Sequence, residues 1–357
     1  MTHPASFKPA PSADLLPQLF RPLPRWAPWL IGVLSVAAAL GLRELLGGGP
    51  VSTAILTAVQ FTIGLHIASR RIEGHRRAAD RTVTTLVTAA FLAALVPLVS
   101  VVYTVVSRGL ARFDVLFFTE TMRNVVGPGG GAQHAIAGTV IITALAALIS
   151  IPIGLLTAIY LVEYGRGRLA SSIRFLVDVM TGIPSIVAGL FAYALFVVFF
   201  GPGVRFGIGG AVALSVLMTP VVVRASEEML KLVSAELREA AYALGVPKWR
   251  TILKVVLPVA AAGIGTGVTL AIARVIGETA PLLLIVGKSD SLNLDPFNDR
   301  MQTLPVFVFY ALTQPGTQLQ ASYDRAWTAA LTLMIIVLVL NAGARLTSRF
   351  FAPKGSR

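Results

Sequence analysis

The chain has 357 residues, of which 55% are hydrophobic and 13% charged, and its mean hydropathy is +0.77. Soluble domains carry about 25% charged residues, so these figures exclude a soluble globular protein and indicate an integral membrane protein. A net charge of +13 would suit nucleic acid, but in so apolar a chain it points to basic loops on one side of a membrane.

There is no cysteine, which rules out disulfides and thiolate metal sites. The histidines, His3, His66, His75 and His134, are scattered. Each reads as a lone polar or loop residue, and no metal-ligand cluster is visible.

Residues 1–26 are rich in proline and carry Lys8, Arg21 and Arg25. They read as a disordered tail or a surface-lying entry segment. Trp26 to Leu42 is apolar and near the lower length limit for a span. A basic start before an apolar run also suits a signal peptide. The leader would be unusually long, however, and no small-residue cleavage site precedes Arg43-Glu44, so a retained span is expected. Gly47 to Pro50 reads as a turn, and Val51 to Ser69 as a second span whose Gln60 and His66 should face other helices. Arg70 to Arg81 reads as a short basic cytoplasmic loop.

Six further spans follow, at Thr82–Val106, Ala135–Val162, Ser172–Phe200, Ile208–Ala225, Pro258–Val286 and Trp327–Ala344. The fold class is therefore an all-α polytopic membrane protein, with two helices ahead of six. Its parts are a tail at 1–26, a two-span extension with its basic loop at 27–81, and a transmembrane domain at 82–357. Pro97, Pro152, Pro184, Pro220 and Pro281 should interrupt spans, which is tolerated where backbone lines a cavity or packs on a neighbour. With the N-terminus inside, cytoplasmic segments hold 20 lysines and arginines and outer segments 8. That bias supports cytoplasmic termini. The outer loops are 107–134, with its Gly127-Pro128-Gly129-Gly130-Gly131 turn, and 287–326, with Asp290, Asp295, Asp299 and Asp324. They need no role beyond solvation, and in an importer they would meet an external binding protein.

Between the sixth and seventh spans lies a polar island, 234–258. Ser234 can N-cap a helix, with Glu236 and Glu239 in the first turn, where the dipole favours acids. Leu237, Ala240, Ala241 and Leu244 share one face. Gly245 suits the C′ position and Pro247 stops the helix. A second short helix should start near Lys248 and run towards Pro258. So short a helix is marginal alone, so its apolar stripe should dock against something. The geometry would also suit a DNA-reading helix-turn-helix, but a place on the cytoplasmic side between spans argues against nucleic acid. The pattern Glu239-Ala240-Ala241, Gly245, Val255, Leu257-Pro258 resembles the EAA loop of binding-protein-dependent ABC importer permeases, with Val255 where those permeases usually have Ile. The resemblance implies a coupling helix seated in a groove of an ATPase subunit.

Four ionisable residues fall within spans. Arg274 and Glu278 are four apart, as are Arg174 and Asp178, so each pair should share a helix face. A charge at the bilayer centre costs about 2.5–3.5 kcal/mol on insertion scales. Arg274 is far from either end of its span and is a functional candidate. Arg174, near the cytoplasmic end, fits equally well as an interface anchor. An intrahelical pair that fixes packing is the plainer alternative for both. A guanidinium stays charged and offers a fork of donors matched to phosphate oxygens. Glu278 would hold the fork and limit the net positive charge, so that an anion passes instead of sticking. Gly277 would let backbone approach closely.

Arg274-Val275-Ile276-Gly277-Glu278-Thr279-Ala280-Pro281-Leu282 resembles the signature of the PstA family, membrane permeases of phosphate-specific ABC importers. Arg174-Phe175-Leu176 with Asp178, Pro184 to Val187 and Gly189 to Phe191 resemble the same family. The resemblance covers about residues 82–357 and leaves the extension at 1–81 without a role. It implies the six-helix core of a type I importer permease in a bacterial plasma membrane, moving inorganic phosphate. Arg274, Glu278, Arg174 and Asp178 would line the path, and Glu239, Ala240, Ala241, Gly245, Pro247 and Pro258 would form the ATPase contact. A PstC-type permease, a PstB-type ATPase dimer and a PstS-type phosphate-binding protein are the implied partners, besides membrane lipid.

No catalytic role or cofactor is expected of this chain. Gly287-Lys288-Ser289 echoes the end of a P-loop, but that motif needs Gly where Leu282 stands. Three alternatives fit the composition: a permease for sulfate or molybdate, a membrane-embedded enzyme or receptor, and a regulatory or scaffold subunit.

Overall fold

The computed structural model describes residues 22–351, so residues 1–21 of the tail expected at 1–26 and the last six residues lie outside it. Every regular element among the described residues is helical. Seven helices are long and apolar enough to cross a membrane, or eight if one bent pair counts as a single span. The expectation of an all-α polytopic chain with two helices ahead of a six-helix core holds. Two compact units divide between Val102 and Tyr103, inside a long helix.

The first unit holds α1 (Ala27–Leu46), α2 (Pro50–Ile72) and most of α3 (His75–Gly109). α1 stops because Gly47 takes φ +69 and returns its N–H to the Arg43 carbonyl. Pro50 opens α2 at a position where its missing N–H costs nothing. Leu23, Ala27 and Leu65 are buried where the two helices meet, packed by Ile31 and Phe61. His66 reaches Thr82 of α3 at 2.7 Å, as a helix-facing polar residue should.

The basic loop expected at 70–81 is not a loop. Only Glu73 and Gly74 separate α2 from α3. The basic residues occupy the last turn of α2 and the first turns of α3, where charge reads as loop only if length is ignored. Glu73 makes so tight a turn hold. Its carboxylate accepts from Arg81 Nε at 2.7 Å and Nη2 at 2.8 Å, from Ser69 Oγ at 2.6 Å and from the Leu23 N–H at 2.7 Å. The Arg81 guanidinium, helped by Leu23 and Ser69, holds this carboxyl at about 2, below the ordinary 4.5, against the burial that raises it.

The second unit is built on α5 (Gln133–Ile159) and α8 (Gly207–Lys231), which pack along their lengths. Between them in the chain come α6 (Gly167–Thr181) and α7 (Ser185–Phe200). α11 (Leu257–Val275), α12 (Ala280–Ile285), α13 (Leu304–Thr313) and α14 (Leu319–Phe351) complete the unit, with a short α4 (Val115–Thr119) at its entry. Lipid is as apolar as leucine, so membrane helices associate by close packing of small residues. Gly154 of α5 sits where a Cβ would lie 2.7 Å from Val222 of α8, and Gly267 where one would lie 2.5 Å from Ala225. Ile142, Ala146, Leu214, Met218, Ala271 and Leu282 form the buried centre.

Of the five prolines expected to interrupt spans, Pro97, Pro152 and Pro220 lie inside continuous helices. Pro184 and Pro281 sit at true breaks. Pro184 precedes α7, which leaves α6 at 107°, and Pro281 opens α12. The loop expected at 287–326 contains α13, whose Leu304 to Phe307 are buried and whose first N–H is bound by Thr139 Oγ1 at 2.7 Å. His134 is likewise buried, its Nε2 3.3 Å from Gln302 Oε1. The turn at Gly127 to Gly131 is held by two arginines. Arg325 Nη1 donates to the Gly127 and Gly129 carbonyls at 2.8 Å each, and Arg112 to those of Pro128 and Gly130 at 2.5 and 3.0 Å.

Glu73 gives the first unit a pH signature. Its folded value is depressed, so its stabilisation is complete above the ordinary carboxylate value and is lost as pH falls towards about 2. In detergent, Glu73→Gln should melt below the parent protein by a gap that is constant above about pH 5 and closes under more acidic conditions. A gap that does not change with pH would assign the loss to shape alone.

Candidate functional site

Arg274 and Glu278 reach one cavity, but not as a helical pair. α11 ends at Val275, with Ile276 as its cap. The chain then leaves helical geometry through Gly277, Glu278 and Thr279 before α12 begins. The Glu278 N–H bonds the Val275 carbonyl at 3.1 Å, closing a turn. Four-residue spacing aligns side chains only while the helix continues, and here it does not. Neither side chain makes an ion pair or hydrogen bond with another described residue. Nor does Gly277 serve a close approach, since a Cβ there would meet nothing within 4 Å.

The cavity has a volume of 190 Å³. The α6–α7 bend supplies Thr181, Ile183 and Ser185, α8 supplies Leu217 and Val221, and the α11–α12 break supplies the two charges. It exists because two helices break at the same level. A guanidinium with no protein partner faces this space beside one carboxylate and two hydroxyls. At about 30 Å³ per water the space holds several waters, or one small oxyanion with part of its hydration shell.

Arg174 and Asp178 do not line this cavity, nor do they pair with each other. Each takes its partner from α8. Arg174 Nε meets Glu227 Oε1 at 3.1 Å and its Nη2 donates to the Leu161 carbonyl at 2.8 Å. Asp178 pairs with Arg224. Arg224 also approaches Glu227 at 3.7 Å, and Lys231 reaches it at 2.8 Å. Three cations therefore converge on one carboxylate that is 1% exposed. Sequence reasoning passed over Glu227 because its span was expected to end at Ala225 and Arg174 lies 53 residues upstream, although the three- and four-residue spacing to Arg224 and Lys231 pointed to it. The cluster clamps α6 to α8 and to the end of α5.

The polar island folds as expected, into α9 (Ala235–Ala243) and α10 (Lys248–Thr251). Gly245 takes φ +74 between them, and Pro247 occupies the N-cap of α10. Ser234 stands at the N-cap of α9 but makes no side-chain capping bond. Arg238 secures that end instead. It donates to the Leu230 carbonyl at 2.8 Å and the Val233 carbonyl at 2.5 Å, and pairs with Glu163 at 3.0 Å. Lys248 donates to the Glu163 carbonyl and lies 4.7 Å from the Tyr164 ring centroid. A π-helical turn, Tyr160–Tyr164, carries Glu163 to this meeting, and another, Ile252–Val256, leads to Pro258 in the first turn of α11. Such turns concentrate at functional sites. Ala241 is buried against the body, whereas Leu244 is 84% exposed and Leu237, Glu239 and Ala240 are exposed as well.

Glu227 is buried, whereas the side chains of Arg174, Arg224 and Lys231 are 38–56% exposed, so solvent offsets part of what its removal costs. Glu227→Ala removes the shared partner of Arg174, Arg224 and Lys231 and should lower the melting temperature in detergent more than Asp178→Ala, whose carboxylate is half exposed. Equal losses would mean that the cluster does not hold α6.

Residues 150–354 match the family described as binding-protein-dependent transport system inner membrane component. The chain is 45% identical over 294 residues to the phosphate transport system permease protein PstA 1 of Mycobacterium tuberculosis, which covers 82% of this chain and 94% of that protein. It is 39% identical over 287 residues to PstA of Yersinia pestis, covering 80% and 94%. Among solved structures, a bacterial alginate ABC transporter in complex with an alginate pentasaccharide-bound periplasmic protein superposes with a TM-score of 0.54, covering 78% of this chain and 97% of that one. At 13% identity that likeness concerns the fold alone. The chain belongs to the family of binding-protein-dependent transport system inner membrane components, as a PstA-type permease.

Proposed function

We propose that this chain is the transmembrane permease subunit of an ATP-driven importer of inorganic phosphate. It forms half of the translocation pathway and couples it to an ATPase. The observation that carries this reading is Arg274, a permanent cation without a partner among the described residues, beside Glu278 at a cavity between broken membrane helices. Phosphate is a tetrahedral oxyanion that a guanidinium fork matches bidentately. Glu278 keeps the local charge near neutral, so that the anion is met but not trapped. Thr181 and Ser185 add hydroxyls to the same wall. Arg274 is exposed in the isolated chain, which suits a pathway completed by a second permease subunit. Arg174 and Asp178 act as positioning residues, holding the α6–α7 bend that forms the cavity wall.

α9 is the coupling element. Its exposed Leu244, Leu237 and Ala240 form an apolar knob for a groove on an ATPase dimer. Arg238 and Lys248 tie that knob to the ends of α5 and α8, so its displacement moves both helices. The basic bias of alternate segments puts α9 and both termini on the cytoplasmic side. A phosphate-binding protein delivers cargo to the opposite face. The partners expected are a PstC-type permease, a PstB-type ATPase dimer and a PstS-type binding protein.

Purified complex in liposomes with ATP supplied to the ATPase face tests the pathway. Arg274→Ala should reduce radiolabelled phosphate uptake at least about thirtyfold, the loss expected when a charge-assisted partner is removed, while the complex still assembles. Wild-type uptake by the variant would remove Arg274 from the path. Excess sulfate or molybdate should not compete; competition would favour the broader oxyanion permease. At Gly245, valine in the left-handed region costs about 1–2 kcal/mol. Gly245→Val should therefore reduce co-purification of the ATPase, and unchanged recovery would remove α9 from the contact.

A further inference from the structure

The 22–102 unit contributes no residue to the cavity or the knob. Its α2–α3 turn nevertheless gathers charge beyond what a turn needs. Residues 70–81 hold five arginines against Glu73 and Asp80. Arg81 is spent on Glu73. The side chains of Arg70, Arg71, Arg76 and Arg77 are exposed and make no ion pair or hydrogen bond among the described residues.

Beside them lies a cavity of 550 Å³ lined by Arg77, the Arg81–Glu73 pair, Asp80, Thr84 and Pro28. From Pro28 a second hollow, of 710 Å³, continues past Trp29, Gly32, Val36 and Leu40 to Phe61 of α2, and Thr57 is its one polar lining residue. Pro28, Gly32, Val36 and Leu40 recur every fourth residue, so the groove follows one stripe of α1. At 1.5 Å per residue that stripe is about 18 Å long, close to the roughly 15 Å of one leaflet's hydrocarbon. Trp26 and Trp29, 63% and 81% exposed at the start of α1, are the aromatic type that settles at a membrane interface. The unpaired Arg77 guanidinium thus lines a pocket that shares Pro28 with an apolar groove of acyl-chain length.

We propose that this unit binds an anionic phospholipid, its phosphodiester held by Arg77 and the neighbouring free arginines and one acyl chain lying in the α1–α2 groove. Guanidinium forks match phosphate oxygens. A soluble anion or a nucleic acid would leave the groove unused, and a zwitterionic lipid would bring its own cation against the arginines. Glu73 pairs with Arg81 and keeps the turn tight, which leaves Arg70, Arg71, Arg76 and Arg77 without a carboxylate partner among the described residues.

The full-length protein, purified in detergent and stripped of lipid, tests this by native mass spectrometry with phosphatidylglycerol, phosphatidylcholine or inorganic phosphate. Phosphatidylglycerol should be retained about tenfold better than phosphatidylcholine. Arg77→Ala should weaken its retention about fivefold, and replacing Arg70, Arg71, Arg76 and Arg77 together at least about a hundredfold. Gly32→Leu, which fills the groove, should reduce retention while all four arginines remain. Circular dichroism unchanged across the variants ties these losses to the site. Equal retention of the two lipids, full retention by the fourfold variant or by Gly32→Leu, or displacement of the lipid by equimolar inorganic phosphate would each overturn the proposal.

Discussion

The Glu227 carboxylate is the point on which the second unit depends. It is buried, and Arg174, Arg224 and Lys231 converge on it. Burying a carboxylate is unfavourable unless cations and hydrogen bonds surround it, and these three side chains supply them. Through them α6 is fixed to α8. A fixed α6 aims the chain into the sharp turn before Pro184, and that turn supplies the wall opposite Arg274. The cavity wall is thus positioned by charges that do not themselves line the cavity.

α8 connects the rest. Leu217 and Val221 line the cavity, Glu227 lies in the ion cluster, and the Leu230 carbonyl accepts from Arg238 of the knob. At 1.5 Å per residue, Leu217 to Leu230 is about 20 Å along one continuous helix. A rod of that length carries displacement without a relay of side chains. Pro220 lies inside it without breaking it, consistent with a helix buried over much of its length and supported on several sides. Close packing of α5 against α8 adds the end of α5 to the same rigid body.

The sequence made local features legible where neighbouring residues alone decide them. The helix–turn–helix of the knob follows from Gly245 and Pro247, and the structure has it within a residue. The spans follow from apolar length, and the two extra helices from counting them. Features that depend on distant partners were not legible. Spacing paired Arg174 with Asp178, yet α8 offered better partners to both. It paired Arg274 with Glu278, yet the helix between them stops at Val275, because Gly277 and Pro281 favour leaving it. The buried α13 read as loop since ten residues around Pro305 are too few for a span. Ser234 occupies the capping position of α9 without a side-chain bond to its N–H groups, while Arg238 satisfies carbonyls at the end of α8.

The glycine-rich turn at 127–131 reads on paper as slack chain. In the folded protein its consecutive carbonyls are taken alternately by Arg325 and Arg112. A segment tethered at every peptide has little conformational entropy left to surrender when another molecule arrives. On that face of the membrane, a visitor therefore meets a template already cast.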